Sequence, residues 1–126
     1  MELLEYWKKA LGLSNWFIRL VEVNREQMVN AGSDDADSET LGLCDQQTFH
    51  RTATIYINTE ILETFDEDDP LFQAKHIDYE HVIVHELLHL KFPTRFAVAA
   101  NEWITLERSI NDVADALVSL KKAGTP

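Results

Sequence analysis

Apolar residues recur at helical spacing near both ends of the chain. Residues 2–12 place three leucines and a tryptophan on one face, and Gly12 follows as a helix terminator. Residues 101–122 carry a second apolar stripe at the same spacing and finish with two lysines, followed closely by a glycine. The members of this stripe are Trp103, Leu106, Ile110, Val113, Leu117 and Leu120. The pattern predicts a short N-terminal helix and a long C-terminal helix.

Alternating and β-rich segments predict strands in the first half of the chain. Residues 50–58 alternate apolar with polar side chains, and residues 15–23 are so densely apolar that they indicate an inner strand. Residues 40–49 form a weaker candidate, whereas residues 24–40 are polar and indicate a loop. Residues 59–65 fit one or two turns of helix. The core-facing residues expected in the clearest strand are Ala53, Ile55 and Ile57.

A further helix is predicted between these strands and the C-terminal helix. From residue 78 to residue 92 nothing interrupts a helix, and Pro93 stops it. The order helix, strands, helix, helix indicates an α+β fold with a small antiparallel or mixed sheet of three to four strands. At 126 residues the chain has the length of one domain, residues 1–126, with a single core.

The amino-acid composition limits which binding partners and which cellular compartment can be expected. The chain is 45% hydrophobic and 26% charged, as expected of a soluble globular protein. Its formal net charge of −11 argues against binding to a nucleic-acid backbone. The single cysteine, Cys44, allows no internal disulfide, and the sequence shows neither a signal peptide nor an apolar membrane span. We therefore expect a cytoplasmic protein without a nucleic-acid or membrane partner.

The predicted helix over residues 78–92 contains the sequence HELLH, formed by His85, Glu86 and His89 with two leucines between. Side chains at positions i and i+4 of a helix lie one above the other, so both imidazoles can converge on one Zn²⁺ ion at Zn–N distances near ~2.1 Å. Glu86 lies about 100° round the helix from His85, which suits a general base better than a ligand. Zinc lowers the pKa of its bound water towards ~7, and the carboxylate then accepts the proton. The alternative is a pair of core histidines with no metal.

A catalytic zinc also needs a third protein ligand. Glu102 and Glu107 lie at opposite margins of the apolar stripe on the C-terminal helix, so periodicity alone does not choose between them. Asp112 and Asp115 are candidate hydrogen-bond acceptors for a ligand imidazole. His81, one turn before the motif, is interpreted first as a solvated histidine, with metal binding or support of a ligand as the alternatives.

The motif followed by a glutamate-bearing helix resembles the gluzincins, zinc peptidases that combine HExxH with a glutamate ligand on a later helix. The whole chain is similar to their smallest members, the minigluzincin-like and phage-type metallopeptidase domains, and the matching pieces cover residues 50–120. The segment LERSINDVADAL, residues 106–117, resembles the downstream ligand helix. The resemblance implies a small zincin-like domain with Glu86 as general base and acid. The zinc ligands that it implies are His85, His89 and Glu107.

The expected function is therefore that of a zinc-dependent metallopeptidase, an endopeptidase that acts as a monomer on peptide or protein substrates. The resemblance also implies that the strand at residues 50–58 is an edge strand, along which an extended substrate would bind by β-strand addition. An oxyanion-stabilising group is not evident downstream of the motif. The candidates are Tyr56 and Tyr79.

Other functions remain open at this point. The main alternative is a catalytically inactive, zinc-stabilised protein-binding module, in which His81 or Cys44 fills the fourth zinc position. A cysteine hydrolase that pairs Cys44 with His50 has only those two residue types in its favour. A nuclease acting through the same metal conflicts with the acidic balance of the chain.

Overall fold

The protein is described from a computed structural model, which covers residues 2–30, 40–47, 50–64, 79–91 and 100–124, with the backbone alone at 63–64 and 100–104. These residues form five helices and three strands. In chain order the elements are α1 (Glu2–Ala10), β1 (Phe17–Val23), α2 (Arg25–Val29), β2 (Gly42–Gln47), β3 (Thr52–Asn58), α3 (Thr59–Thr64), α4 (Tyr79–Lys91) and α5 (Ala100–Ala123). The α+β fold predicted from the sequence, with an N-terminal helix, a small sheet and a long C-terminal helix, is confirmed.

The three strands form one mixed sheet with β3 in the middle. β1 runs parallel to β3, with Phe17 opposite Thr52, and β2 runs antiparallel to β3, with Gly42 opposite Ile57. Two predicted strand positions are therefore wrong. The segment 50–58 is the central strand and not an edge strand, and β1 lies at an edge of the described sheet and not inside it.

β1 is densely apolar because both of its faces are covered. On one face, Ile18 and Leu20 join the main core beneath the helices. On the other face, Val21 and Val23 pack with Met28 of α2 in a second, smaller cluster. The apolar content of the strand thus reports two covered faces, and it carries no information about hydrogen bonding at the strand edges.

α2 lies in the segment that the sequence predicted to be a loop. Asn24 Oδ1 accepts a hydrogen bond from the Gln27 backbone N–H at 2.8 Å, and Gln27 Oε1 accepts one from the Asn24 N–H at 2.9 Å. This reciprocal pair is a capping box, and its residues stand three apart in the sequence. The segment is polar overall because the helix is only five residues long and buries only Met28, so its sequence signal lies in the caps.

The main core lies between the sheet and the helices α1, α4 and α5. Ala53, Ile55 and Ile57 point into it from β3, as predicted. α4 is buried on most of its sides, and its fully buried residues include Ile83, Val84 and Leu87. Among the described residues, no helix has the length and apolar character needed to cross a membrane.

α5 packs against α4 along a face slightly different from the predicted stripe. Among the side chains of α5 that are described, from residue 105 onwards, Ile110, Ala114 and Val118 are buried, whereas Val113 and Leu120 of the predicted stripe are 41% and 70% exposed. The buried face follows an i, i+4, i+8 spacing. This rotation of the helix brings the polar residues that flank Ile110 and Ala114 against α4.

Candidate metal centre

Two rows of polar side chains face each other across the contact between α4 and α5. Each row has an i, i+4, i+8 spacing, which places its members on one side of a helix. The contacts pair the rows in antiparallel order, because the last histidine of α4 meets the first polar residue of α5. The row on α4 is His81, His85 and His89. The row on α5 is Glu107, Asn111 and Asp115.

Three of these side chains converge on one point. The Nε2 atoms of His85 and His89 are 3.2 Å apart. Glu107 Oε2 lies 3.1 Å from His85 Nε2, and Glu107 Oε1 lies 2.9 Å from His89 Nε2. In a tetrahedral site with ~2.1 Å Zn–N bonds, neighbouring ligand atoms lie about 3.4 Å apart. The spacing of the three donors therefore suits a single zinc-sized ion.

Glu86 also lies close to the two imidazoles, and the three residues offer donor atoms within 4.8 Å of one another. However, Glu86 Oε2 is 3.8 Å from His85 Nε2, farther than either oxygen of Glu107 is from its imidazole partner. The distances therefore favour Glu107 as the third donor and leave Glu86 beside the donor set. The side chain of Glu102, the other candidate, lies outside the described residues.

Hydrogen bonding and burial shape the charges of this cluster. Burial raises the pKa of Glu107, but hydrogen bonds from His85 and His89 outweigh it and lower the pKa to about 2. Burial lowers the pKa of His85, and the carboxylates of Glu107 and Glu86 outweigh that effect and raise it. An ionised carboxylate between two imidazoles forms a site that attracts positive charge.

Glu86 is the general-base candidate, and it is 5% exposed. Burial raises the pKa of its carboxyl group, with His85 and His89 acting against the rise. A pocket of about 260 Å³ opens between α4, α5 and the start of β2, and Glu86 forms part of its wall. The residues that line the pocket are Leu41, Gly42, His81, Val82, His85, Glu86, Glu107 and Asn111. The base candidate and two of the three donors therefore share one cavity.

Asn111 is a site residue that the sequence reasoning missed. Its Oδ1 lies 2.7 Å from His85 Nδ1, on the opposite side of the imidazole from Glu107. Of the two hydrogen-bond acceptors predicted for a ligand imidazole, Asp112 is exposed and Asp115 contacts His81, which is not one of the three converging donors. The available signal was spacing, since Asn111 stands one helical turn after Glu107.

His81 is not the solvated histidine that the sequence suggested. It is 5% exposed, and its Nδ1 lies 2.8 Å from Asp115 Oδ1. Its ring centroid is 6.3 Å from that of His85, one turn further along the helix. His81 therefore lies beside the converging donors without joining them.

The two tyrosines considered for the oxyanion do not line the pocket. Tyr56 packs with the smaller cluster around Val23 and Met28, on the other face of the sheet. Tyr79, at the start of α4, lies near Glu22, and burial together with that carboxylate raises its pKa to about 12. Neither residue is placed to contact a group held between His85 and Glu107.

Cys44 lacks the properties of a nucleophile. Burial raises the pKa of its thiol to about 12, and the carboxylates of Glu86 and Asp45 add to the rise. A catalytic cysteine requires the opposite shift, because the thiolate is the reactive form. These surroundings oppose a hydrolase built on Cys44 and His50, and they oppose metal binding by the thiol.

Comparisons with protein-family models, with curated proteins and with solved structures find no match to this chain. The assignment of a function therefore depends on the site itself. Its donor set, the buried carboxylate beside it and the pocket that they share provide that basis.

Proposed function

We propose that the protein is a zinc-dependent metallopeptidase in which Glu86 acts as general base and acid. The proposal is carried by one observation: two imidazole nitrogens and one carboxylate lie within 3.2 Å of one another, beside a second, buried carboxylate. The residues that would hold Zn²⁺ are His85, His89 and Glu107. Three nitrogen and oxygen ligands with an open fourth position form the usual donor set of catalytic zinc. When bound, zinc polarises a carbonyl group and lowers the pKa of water.

The residues of the site have separate tasks in this proposal. Glu107 supplies the negative charge that offsets the cation. His85 Nδ1 is hydrogen-bonded to Asn111, which leaves Nε2 as the nitrogen that would coordinate the metal. Glu86 faces the pocket, where it can accept a proton from an entering water molecule and pass it to the leaving amine.

The substrate that suits this sheet is an extended peptide bound along β2. β3 has both of its edges paired, so the expected binding along residues 50–58 is wrong. β2 lies against α4, and Gly42 at its start approaches Glu86 and Val82 closely. Among the described residues, no strand pairs with the outer edge of β2. Main-chain hydrogen bonds to that edge would hold a peptide with one of its carbonyl groups beside Glu86.

The remaining expectations belong to the same proposal. We place the protein in the cytoplasm, since a single cysteine suits a reducing compartment. The net charge of −11 is unfavourable for a nucleic-acid partner. A monomer is sufficient for the proposed chemistry, because all four proposed site residues come from one chain.

The proposal is tested first by metal content and then by activity. The protein is purified without chelator, and bound metal is measured by elemental mass spectrometry for wild type, His85→Ala, Glu107→Ala and Glu102→Ala. We expect one zinc per chain in wild type and Glu102→Ala, and loss of zinc in the other two variants. Glu86→Gln should keep the zinc and lose at least about 100-fold in peptide hydrolysis, because it removes only the general base.

Two results would contradict the proposal. If the wild-type protein binds no zinc even after zinc is added back, the HELLH motif is only part of a buried helix that carries polar residues. Full hydrolysis by zinc-loaded Glu86→Gln would remove the assigned role of the carboxylate.

A second candidate is a zinc-stabilised module that binds other proteins without cleaving them. It is favoured by the positions of Tyr56 and Tyr79, because neither of these two oxyanion candidates is among the described residues that line the pocket. This candidate needs a fourth protein ligand on the zinc, and the two residues considered for that position are unsuitable. His81 contacts Asp115, and the raised pKa of Cys44 keeps its thiol protonated. One zinc per chain together with no cleavage of a diverse peptide library would favour this candidate.

A further inference from the structure

A chain of contacts continues beyond the proposed ligands, along the contact between α4 and α5. Asn111 Oδ1 lies 2.7 Å from His85 Nδ1 and 3.4 Å from His81 Nε2. His81 Nδ1 in turn lies 2.8 Å from Asp115 Oδ1. The three contacts connect Asp115 to His85 through two buried or partly buried side chains.

The orientation of the Asn111 amide determines which nitrogen of His85 carries a proton. An asparagine can present either its oxygen, which accepts, or its NH₂ group, which donates, in nearly the same volume. If the oxygen faces His85, Nδ1 carries a proton, so Nε2 can give up the proton that it donates to Glu107 and bind a metal through its lone pair. If the NH₂ group faces His85, Nδ1 becomes the acceptor and the proton moves to Nε2, which then cannot bind the metal.

His81 provides the group that distinguishes the two orientations. Two of the atoms that it faces, Asp115 Oδ1 and Asn111 Oδ1, are oxygens that can accept a hydrogen bond. Hydrogen bonds donated by the His81 ring to these two oxygens would keep the Asn111 oxygen turned towards the imidazoles. A His81 with a proton on Nδ1 alone would accept from the amide NH₂ and would draw Asn111 into the opposite orientation.

We propose that His81 and Asp115 are positioning residues, which act through the Asn111 amide to hold His85 in the tautomer that binds zinc. The inference rests on the zinc site of the proposed function, but it does not depend on peptidase activity. It assigns a task to the buried histidine and to the acidic residue that the ligand set leaves unused.

A double-mutant cycle in zinc affinity tests this role. In Asn111→Asp the side chain presents only acceptor oxygens when ionised, so it needs no orienting partner. Zinc affinity is measured by competition with a chelating dye for wild type, His81→Phe, Asn111→Asp and the double variant. We expect His81→Phe to weaken zinc binding about tenfold in the wild-type background, as for other groups that orient a metal ligand. In the Asn111→Asp background the same change should cost less than about twofold.

Asp115→Asn provides a second route, which serves if His81→Phe does not fold. It should weaken zinc binding severalfold, again only while residue 111 is asparagine. Asp112→Asn is the matched control, because Asp112 is an exposed acid three residues away on the same helix, and its affinity should equal that of wild type.

The outcomes separate this inference from the proposed function. If wild type binds no zinc, the zinc site itself is wrong. If wild type binds zinc and the substitutions cost the same in both backgrounds, or nothing in either, the zinc site stands and the positioning role is overturned. Thermal unfolding of the metal-free variants shows whether a change in affinity reflects loss of the fold.

Discussion

Gly42 sets the distance between β2 and the helix that carries the proposed site. A Cβ atom at this position would lie 2.8 Å from Glu86 Oε2 and 2.8 Å from Val82 Cγ1. Real Cβ atoms do not approach other atoms so closely, so a larger residue must displace the Glu86 carboxylate or move the strand. Position 42 therefore favours glycine because a side chain would not fit there, and not because of the φ angle.

Gly42→Ala is expected to reduce both stability and activity. Overpacking of this kind costs about 1–3 kcal/mol of the free energy of unfolding, measured by urea titration. Peptide hydrolysis should fall further than zinc affinity, because Glu86 is displaced and the three ligands are not.

Gly124→Ala is the control for this substitution. Its Cβ would lie 3.5 Å from the nearest atom, the Leu120 carbonyl oxygen, which is an ordinary contact. We expect its free energy of unfolding to stay within about 0.5 kcal/mol of wild type. Equal effects at the two glycines would show that the close approach at Gly42 does not restrain Glu86.

The residues of the site differ in how far the sequence could identify them. His85, Glu86 and His89 follow from spacing within one helix, because a single helix fixes their relative positions. Glu107 could be chosen over Glu102 only through a resemblance, since its role depends on how α5 is rotated against α4. The environment of His81 depends on the same rotation, and for that reason its prediction as a solvated residue failed.

At the scale of the elements, Glu80 connects three helices. Its Oε2 accepts a hydrogen bond from Trp7 Nε1 of α1 at 2.8 Å and another from Lys121 Nζ of α5 at 2.5 Å. The Lys121 ammonium also lies 4.7 Å from the centroid of the Tyr6 ring. Since Glu80 stands in the first turn of α4, this cluster joins the ends of the helices that carry the site.

Glu80→Ala is therefore expected to destabilise the protein. It would leave the buried Trp7 N–H without its acceptor and Lys121 without this carboxylate, which should cost about 1–3 kcal/mol. The free energy of unfolding from urea titration measures the effect. Glu5→Ala is the control, because the Glu5 side chain is 69% exposed and its pair with Lys8, at 3.7 Å, should contribute less than about 1 kcal/mol. Similar losses in the two variants would show that Glu80 does not connect the helices.

The elements themselves were more predictable than their arrangement. Alternation identified the core-facing residues of β3, because period two follows from strand geometry alone. The order of the strands depends on hydrogen bonds between segments that are distant in the chain, and side-chain patterns do not record them. For this reason β3 was predicted correctly as a strand and wrongly as an edge.

At the scale of the whole molecule, the proposed site joins two helices that also share the main core. α4 contributes two of the three proposed ligands, and α5 contributes the third. The contact between them combines the apolar residues Ile110, Ala114 and Val118 of α5 with the polar rows of the site. With a formal net charge of −11, the folded chain also gains from any cation that it binds. Metal binding should therefore stabilise the entire fold, and not only its immediate surroundings.

Zinc is expected to raise the free energy of unfolding in proportion to the logarithm of its free concentration. A ligand that binds only the folded state stabilises it by about 2.7 kcal/mol at 100 times its dissociation constant. Urea titrations at buffered free zinc concentrations measure this slope for wild type, and chelator should remove the effect. His85→Ala should show almost none of it, because the variant loses a ligand but keeps the net charge. An equal gain in that variant would mean that zinc stabilises the protein through its acidic surface, in which case the convergence of His85, His89 and Glu107 would not be a metal site.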